Sequence, residues 1–334
     1  MAERLLNELS VRRGNDAGRL FDGIRGKGML TQLSSKRIVI LVHGYNVRAE
    51  DARDTYQVFL NDVIKRNDRL AQSTFCTYWG FHWPGDHDGP PVGRTATSLG
   101  TFSIKIEFAN SAGRQLAYLL RWLGSHQEVY FVAHSLGCRV VLATLYEIER
   151  LCNVMDTAWT GAKVKGAFLM AAAVPWMTCD NEPMYGGADD VQHHFHRREP
   201  EPQEWVFFSE NDGVLNVPFR TGEYLHGEGG GEAVGIHGWP GPRRWDRPVP
   251  TKMHHKDYWP DTEQVVKDKV PTMLGLTGSR KPPARASGQI RPRWRLLPVR
   301  SQRHRSLGEP LDDDWRELIS ENGSRTDLLR RLVG

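Results

Sequence analysis

Ser135 stands in "VYFVAHSLGCRVVLATL", residues 129–145, between a β-branched apolar run and a run with helical spacing. A serine at such a junction has two uses. It can cap the helix that follows by accepting a backbone N–H, or it can attack an electrophilic carbonyl. The second use is demanding, because a neutral hydroxyl is a weak nucleophile. It needs a base within hydrogen-bond reach, an acid to orient that base, and donors for the oxyanion. It also needs a sharp strand-to-helix turn, which strains the backbone and leaves room only for small residues two before and two after the serine. Those positions hold Ala133 and Gly137. The usual pattern is G-x-S-x-G. Alanine replaces the first glycine here, and a methyl group is the smallest possible addition. Ser135 is therefore read as a nucleophile of acyl chemistry.

Other reactive side chains carry weaker patterns. "DDVQHHFH" gathers Asp189, Asp190, His193, His194 and His196, but no helical or hairpin spacing fixes them as metal ligands, and the stretch reads as a solvated loop. Cys138, three residues after Ser135, falls inside the helix and reads as a buried thiol. "GEGGGEAVG" lacks the lysine and threonine of a phosphate loop and reads as a turn. No metal and no cofactor is expected.

The elements that would position Ser135 follow from periodicity. "KRIVILVHG" has five consecutive apolar residues, 38–42, as in a strand buried on both faces. "DTYQVFLNDVIKRN" has helical spacing, with Asp54 as its expected N-cap. "STFCTYWGFHWPG" reads as a second strand, residues 102–123 as an amphipathic helix, "EVYFVAH" as a third strand and "GCRVVLATLYEIERL" as a third helix. "KVKGAFLMAAAV", "EWVFFSE" and "AVGIHGW" read as further strands, and "DTEQVVKDKVPTML" as a last helix capped by Asp261. Strands alternating with helices predict a mostly parallel sheet with helices on both faces. Residues 1–35 read as an N-terminal helix and loop, 36–278 as the main domain with an irregular insert near 175–204, and 279–334 as a basic extended segment with short C-terminal helices. The insert and the 85–101 loop both follow strands, on the rim where such sheets bind ligands.

The chain has 334 residues and a formal net charge of +4. Four cysteines without CxxC spacing suit reduced thiols in a cytoplasmic compartment. The first twenty residues have no apolar segment of the signal-peptide kind, and no run approaches the ~18 apolar residues of a membrane span.

With "ILVHGYNV" and "VAHSLG" in place, the sequence resembles the α/β-hydrolase superfamily over about residues 36–275. "HGYN" and the downstream "WPG" resemble bacterial hydrolases with lipase-like elbows. The resemblance implies the α/β-hydrolase fold and a chain order of serine, acid, histidine. Asp212, just past "EWVFF" and before Gly213, then fits the acid; Glu210 in the same loop and Asp180 are its rivals. "HHKDYW" resembles the superfamily's histidine loop and selects His255 as base, with His254 the alternative. His134 is expected to pack in the elbow and His237 to be structural. The oxyanion would be held by the N–H of Leu136, at a helix N-terminus, and by that of Tyr45, with Asn46 a possible helper. These residues imply a serine hydrolase cleaving a carboxylic ester, thioester or related acyl bond of a small-molecule or lipid substrate. A serine here disfavours the haloalkane and epoxide branches, which carry aspartate. Tryptophans near the rim, in "FHWPG", "PWMTC" and "GWPGPRRW", suggest an apolar acyl site.

The tail supports a reading of another class. Between Arg280 and Arg305 it holds nine Lys or Arg and no acid. It could attract an anionic membrane surface or an acidic protein partner, and less readily nucleic acid, for which no recognised motif is present. A non-catalytic binding module on the hydrolase fold is the alternative function.

Overall fold

The computed structural model describes residues 6–13, 16–27, 35–65, 76–86, 96–155, 159–175, 203–220, 232–238, 246–259, 266–267 and 269–270. In chain order its elements are β1 (Leu6–Arg13), β2 (Asp16–Lys27), β3 (Arg37–Val42), α1 (Ala49–Phe59), β4 (Cys76–His82), α2 (Ala96–Trp122), β5 (Glu128–His134), α3 (Leu136–Met155), β6 (Lys163–Met170), β7 (Gln203–Phe208), α4 (Val234–His237) and β8 (Asp246–Pro250). Two π-helical stretches, Leu60–Lys65 and Leu215–Phe219, complete them.

Among the described residues eight strands form one sheet in the order β2-β1-β4-β3-β5-β6-β7-β8. Seven run parallel, and β2 returns antiparallel to β1 at the edge. β3 lies inside the sheet because residues 38–42 offer no polar face to water; all are buried. Each such Ile, Leu or Val contributes about 1.5–3 kcal/mol by leaving water. α3 packs on β3, β5 and β6, α2 packs on α3, and α1 packs on β4. Among the described residues no helix is long and apolar enough to cross a membrane.

Four expectations change. Residues 6–13 and 16–27 form two strands, not a helix and loop. Leu9 and Val11 are buried two apart on β1, a period-two pattern that the intervening polar residues dilute. "AVGIHGW" is not a strand. It holds α4, which Gly238 ends at φ 80°, and Ala233 alone bridges to Pro175. Among the described residues the last strand is instead β8, unread because Pro248 and Pro250 lie within it. Proline suits an edge strand, where no neighbour needs its missing N–H. Finally, α1 begins at Ala49 after Arg48, with no side-chain cap, so Asp54 lies inside the helix. Most of the 175–204 insert, the histidines of "DDVQHHFH", Asp180, Asp261 and the whole segment from residue 279 lie outside the described residues.

Candidate active site

Ser135 closes β5 and precedes α3 with φ 53°, a left-handed conformation uncommon outside glycine. The surroundings hold it there. Its N–H donates to the Met170 carbonyl at 2.9 Å, and its own carbonyl accepts from Cys138 N–H at 3.0 Å and Ala173 N–H at 3.2 Å. The need for a small residue at 137 is steric: a Cβ there would lie 2.4 Å from the His43 carbonyl oxygen. Gly44 meets the serine from the other side, where a Cβ would lie 2.8 Å from Ser135 Cβ. Cys138 is fully buried, which pushes its thiol pKa up.

The structure brings Ser135, His255 and Asp212 together. His255 Nε2 is 2.9 Å from Ser135 Oγ, and His255 Nδ1 is 2.8 Å from Asp212 Oδ2. A carboxylate only accepts, so Nδ1 carries the imidazole proton and Nε2 is left to accept from the serine hydroxyl. Asp212 follows β7 and is fully buried. Its Oδ1 accepts the Val214 and Leu215 N–H groups, each at 3.1 Å, which fixes the carboxylate at the start of a helical turn. His255 follows β8, and Tyr258 and Trp259 are buried just beyond it.

The rivals among the described residues take no part in this line. Glu210 is exposed. His254 is exposed, with its N–H on Asp257 at 2.9 Å and its ring Nδ1 3.3 Å from the Asn211 carbonyl. His237 lies on α4 against Glu232, at 2.8 Å. His134 packs in the elbow, and it also does something the sequence did not signal. Its Nε2 is 2.7 Å from the His255 carbonyl oxygen, so it carries a proton and donates to the backbone of the histidine loop. Burial, with His255 nearby, lowers its pKa to about 3 and keeps it neutral.

The loop after β3 forms the other flank. Asn46 takes φ 60°, and its N–H donates to the Gly85 carbonyl at 2.7 Å. That N–H is therefore committed within the protein, which removes it as an oxyanion helper. Tyr45 turns its ring edge-on to Phe102 at 5.4 Å, and Phe102 meets Phe219 at 6.1 Å. Leu136 opens α3, where first-turn amides have no partner within the helix. Trp83 of "FHWPG" is fully buried and stacks on His43 at 5.6 Å, so it packs the interior rather than lining a pocket. Trp176, Trp239 and Trp245 lie outside the described residues.

No curated protein matches the chain in sequence. Among solved structures, an inhibited esterase B from Lactobacillus rhamnosis is 10% identical with a TM-score of 0.34, covering 72% of this chain and 76% of that one. A Pyrococcus furiosus esterase is 11% identical with a TM-score of 0.35, covering 76% and 85%. Thermogutta terrifontis esterase 2 is 9% identical with a TM-score of 0.34, covering 75% and 87%. The family model described as alpha/beta hydrolase of unknown function (DUF900) matches residues 27–220, more than half of the chain. The chain belongs to that family of α/β hydrolases.

Proposed function

We propose that the protein is a serine hydrolase that cleaves a carboxylic ester, thioester or related acyl bond through an acyl-enzyme. The observation that carries this reading is the unbroken hydrogen-bonded line from Ser135 Oγ through both nitrogens of His255 to the buried Asp212. Ser135 Oγ attacks the acyl carbonyl as its proton passes to His255 Nε2. Asp212 holds Nδ1–H and stabilises the imidazolium that forms. Backbone N–H groups of Leu136 and Tyr45 receive the oxyanion. His255 then returns the proton to the leaving alkoxide or thiolate, and water repeats the sequence on the acyl-serine with the same base. The half-buried Tyr45 packs edge-on to Phe102, which meets Phe219, so the loop that carries the proposed oxyanion donor rests on an apolar run.

A fluorophosphonate probe tests the reading. Wild-type protein should be labelled and Ser135→Ala should not. A panel of short- and long-chain p-nitrophenyl esters then reads the acyl preference. Labelling that survives the substitution, or a wild-type chain that neither labels nor turns over, would overturn it.

A further inference from the structure

Beyond the three hydrogen-bonded side chains, the loop that carries Tyr45 has its own support, and that support begins at the N-terminal strand. β1 pairs with β4 as far as Ser10 opposite His82. Arg12 then reaches past the end of the ladder. It is 5% exposed, and its guanidinium grips Asp86 as a fork, Nη1 to Oδ1 at 2.6 Å and Nη2 to Oδ2 at 2.7 Å. Nη1 also reaches the Trp83 carbonyl at 3.4 Å. Both ends of the Trp83–Pro84–Gly85–Asp86 turn are thus tied to one arginine.

That turn holds the loop after β3. Trp83 Nε1–H donates to the His43 carbonyl at 2.8 Å, and the Trp83 N–H lies 3.4 Å from His43 Nε2. Gly85 accepts the Asn46 N–H. The Gly44 carbonyl is held by His43 Nδ1–H at 2.9 Å and faces Gly85, where a Cβ would come within 3.0 Å of it. A trans peptide sets its N–H opposite its carbonyl. Fixing the Gly44 carbonyl toward the turn therefore fixes the Tyr45 N–H away from it. We infer that Arg12 is a positioning residue: through its fork on Asp86 it sets the turn that aims the Tyr45 amide. The inference rests on the proposed serine chemistry. It gives a task to β1, which precedes the segment matched by the family model.

The test uses the full chain and two changes. Arg12→Lys keeps the charge and loses the fork. The pair Arg12→Met with Asp86→Leu removes both charges, so no unpaired charge is left buried to unfold the protein. Amide hydrogen exchange of residues 43–47 is read beside kcat and KM for p-nitrophenyl butyrate, normalised to fluorophosphonate-reactive sites. In the folded pair variant the Asn46 amide should exchange about tenfold faster or more. Its kcat should fall about 10- to 100-fold with KM changed less than about threefold. Arg12→Lys should lie between. Exchange or kcat left at the wild-type value in the folded pair variant would overturn the inference, since aiming requires both to move. If the wild-type chain shows no hydrolysis and no labelling, the serine chemistry fails, and an unchanged exchange rate at Asn46 would separately remove Arg12 from the support of this loop.

Discussion

Ser135 sits between two flanks built from different chemistry. On the base flank, Asp212 and His255 come from the ends of β7 and β8 and meet through directional bonds between ionisable groups. The His255 side chain keeps 12% of its surface exposed. On the flank of the proposed oxyanion donors, called the oxyanion flank below, His43, His82, Trp83 and Tyr56 are buried and packed ring to ring. Burial lowers His43 to about 3 and His82 to about 4, so both stay neutral. The Tyr56 hydroxyl accepts the His43 N–H at 2.6 Å and donates to the Phe81 carbonyl at 3.0 Å. The contrast separates two jobs. The group proposed to move a proton stays within reach of water, while the histidines packed beside the loop after β3 are dry and neutral.

The largest effects should come from the base flank. His255→Ala and Asp212→Asn should each lower kcat/KM for a soluble ester about 10⁴-fold, the second by favouring the wrong imidazole tautomer. His254→Ala should cost less than about tenfold. Steady-state rates on the purified variants decide this. A reversal between the two histidines would break the assignment of the flank.

The next effect is on stability and separates the flanks by their tolerance of one methyl group. Gly137 is wedged where a Cβ would lie 2.4 Å from the His43 oxygen and 2.7 Å from the Val42 oxygen. Backbone cannot yield as a side chain can, so Gly137→Ala should destabilise by about 3 kcal/mol. At Gly213, beside Asp212, a Cβ would meet nothing within 4 Å. Gly213→Ala should therefore shift stability by less than about 1 kcal/mol. Urea unfolding of both reads the difference. Equal losses would mean that the two flanks are packed alike.

The two flanks also differed in how far their residues could be read in sequence. β3 and β5 announce themselves because burial on both faces requires unbroken apolar runs. Ser135 does so because its turn admits only small neighbours, and Asp212 and His255 follow from the chain order that the superfamily resemblance supplies. The support of the oxyanion flank carries no such sign. Arg12 lies in "LNELSVRR", a mixed polar stretch with no spacing that links it to Asp86. Only the β1–β4 ladder carries it to Asp86, 74 residues away. Trp83 was legible as an aromatic near the rim, yet the stacking that buries it depends on a histidine from another strand's loop. The hydrogen bond from His134 to a backbone carbonyl 121 residues on leaves no pattern at all. β8 hides behind its prolines, because edge position, not composition, is what permits them.

The smallest effect tests whether the packed histidines around the site stay uncharged in the folded protein. His43, His82 and His134 have folded pKa values of about 3, about 4 and about 3, each lowered chiefly by burial. The second cause is a nearby His82 for His43, Arg53 for His82, and His255 for His134. Each would titrate near 6.5 in the unfolded chain. Between that value and the folded one, the unfolded form binds the extra protons. Stability therefore rises with pH through this window, is fully present above it, and is lost as the solution turns acid. Each histidine contributes at most about 1.4 kcal/mol per pH unit. His82 separates this effect from hydrogen bonding, because neither of its ring nitrogens has a partner among the described residues. His82→Phe should preserve stability at about pH 7.5, where the imidazole is neutral in both states. Between about pH 6.5 and 5.5 it should lose less stability than wild type, by about 1 kcal/mol. Its kcat for ester hydrolysis at about pH 7.5 should match wild type, since His82 takes no part in the hydrogen-bonded line of Ser135, His255 and Asp212. Urea titrations at the three pH values, with ester hydrolysis alongside, read both. A His82→Phe protein with the full wild-type acid slope would mean that His82 already takes its proton in the folded state, and the rings packed beside the loop after β3 would carry charge.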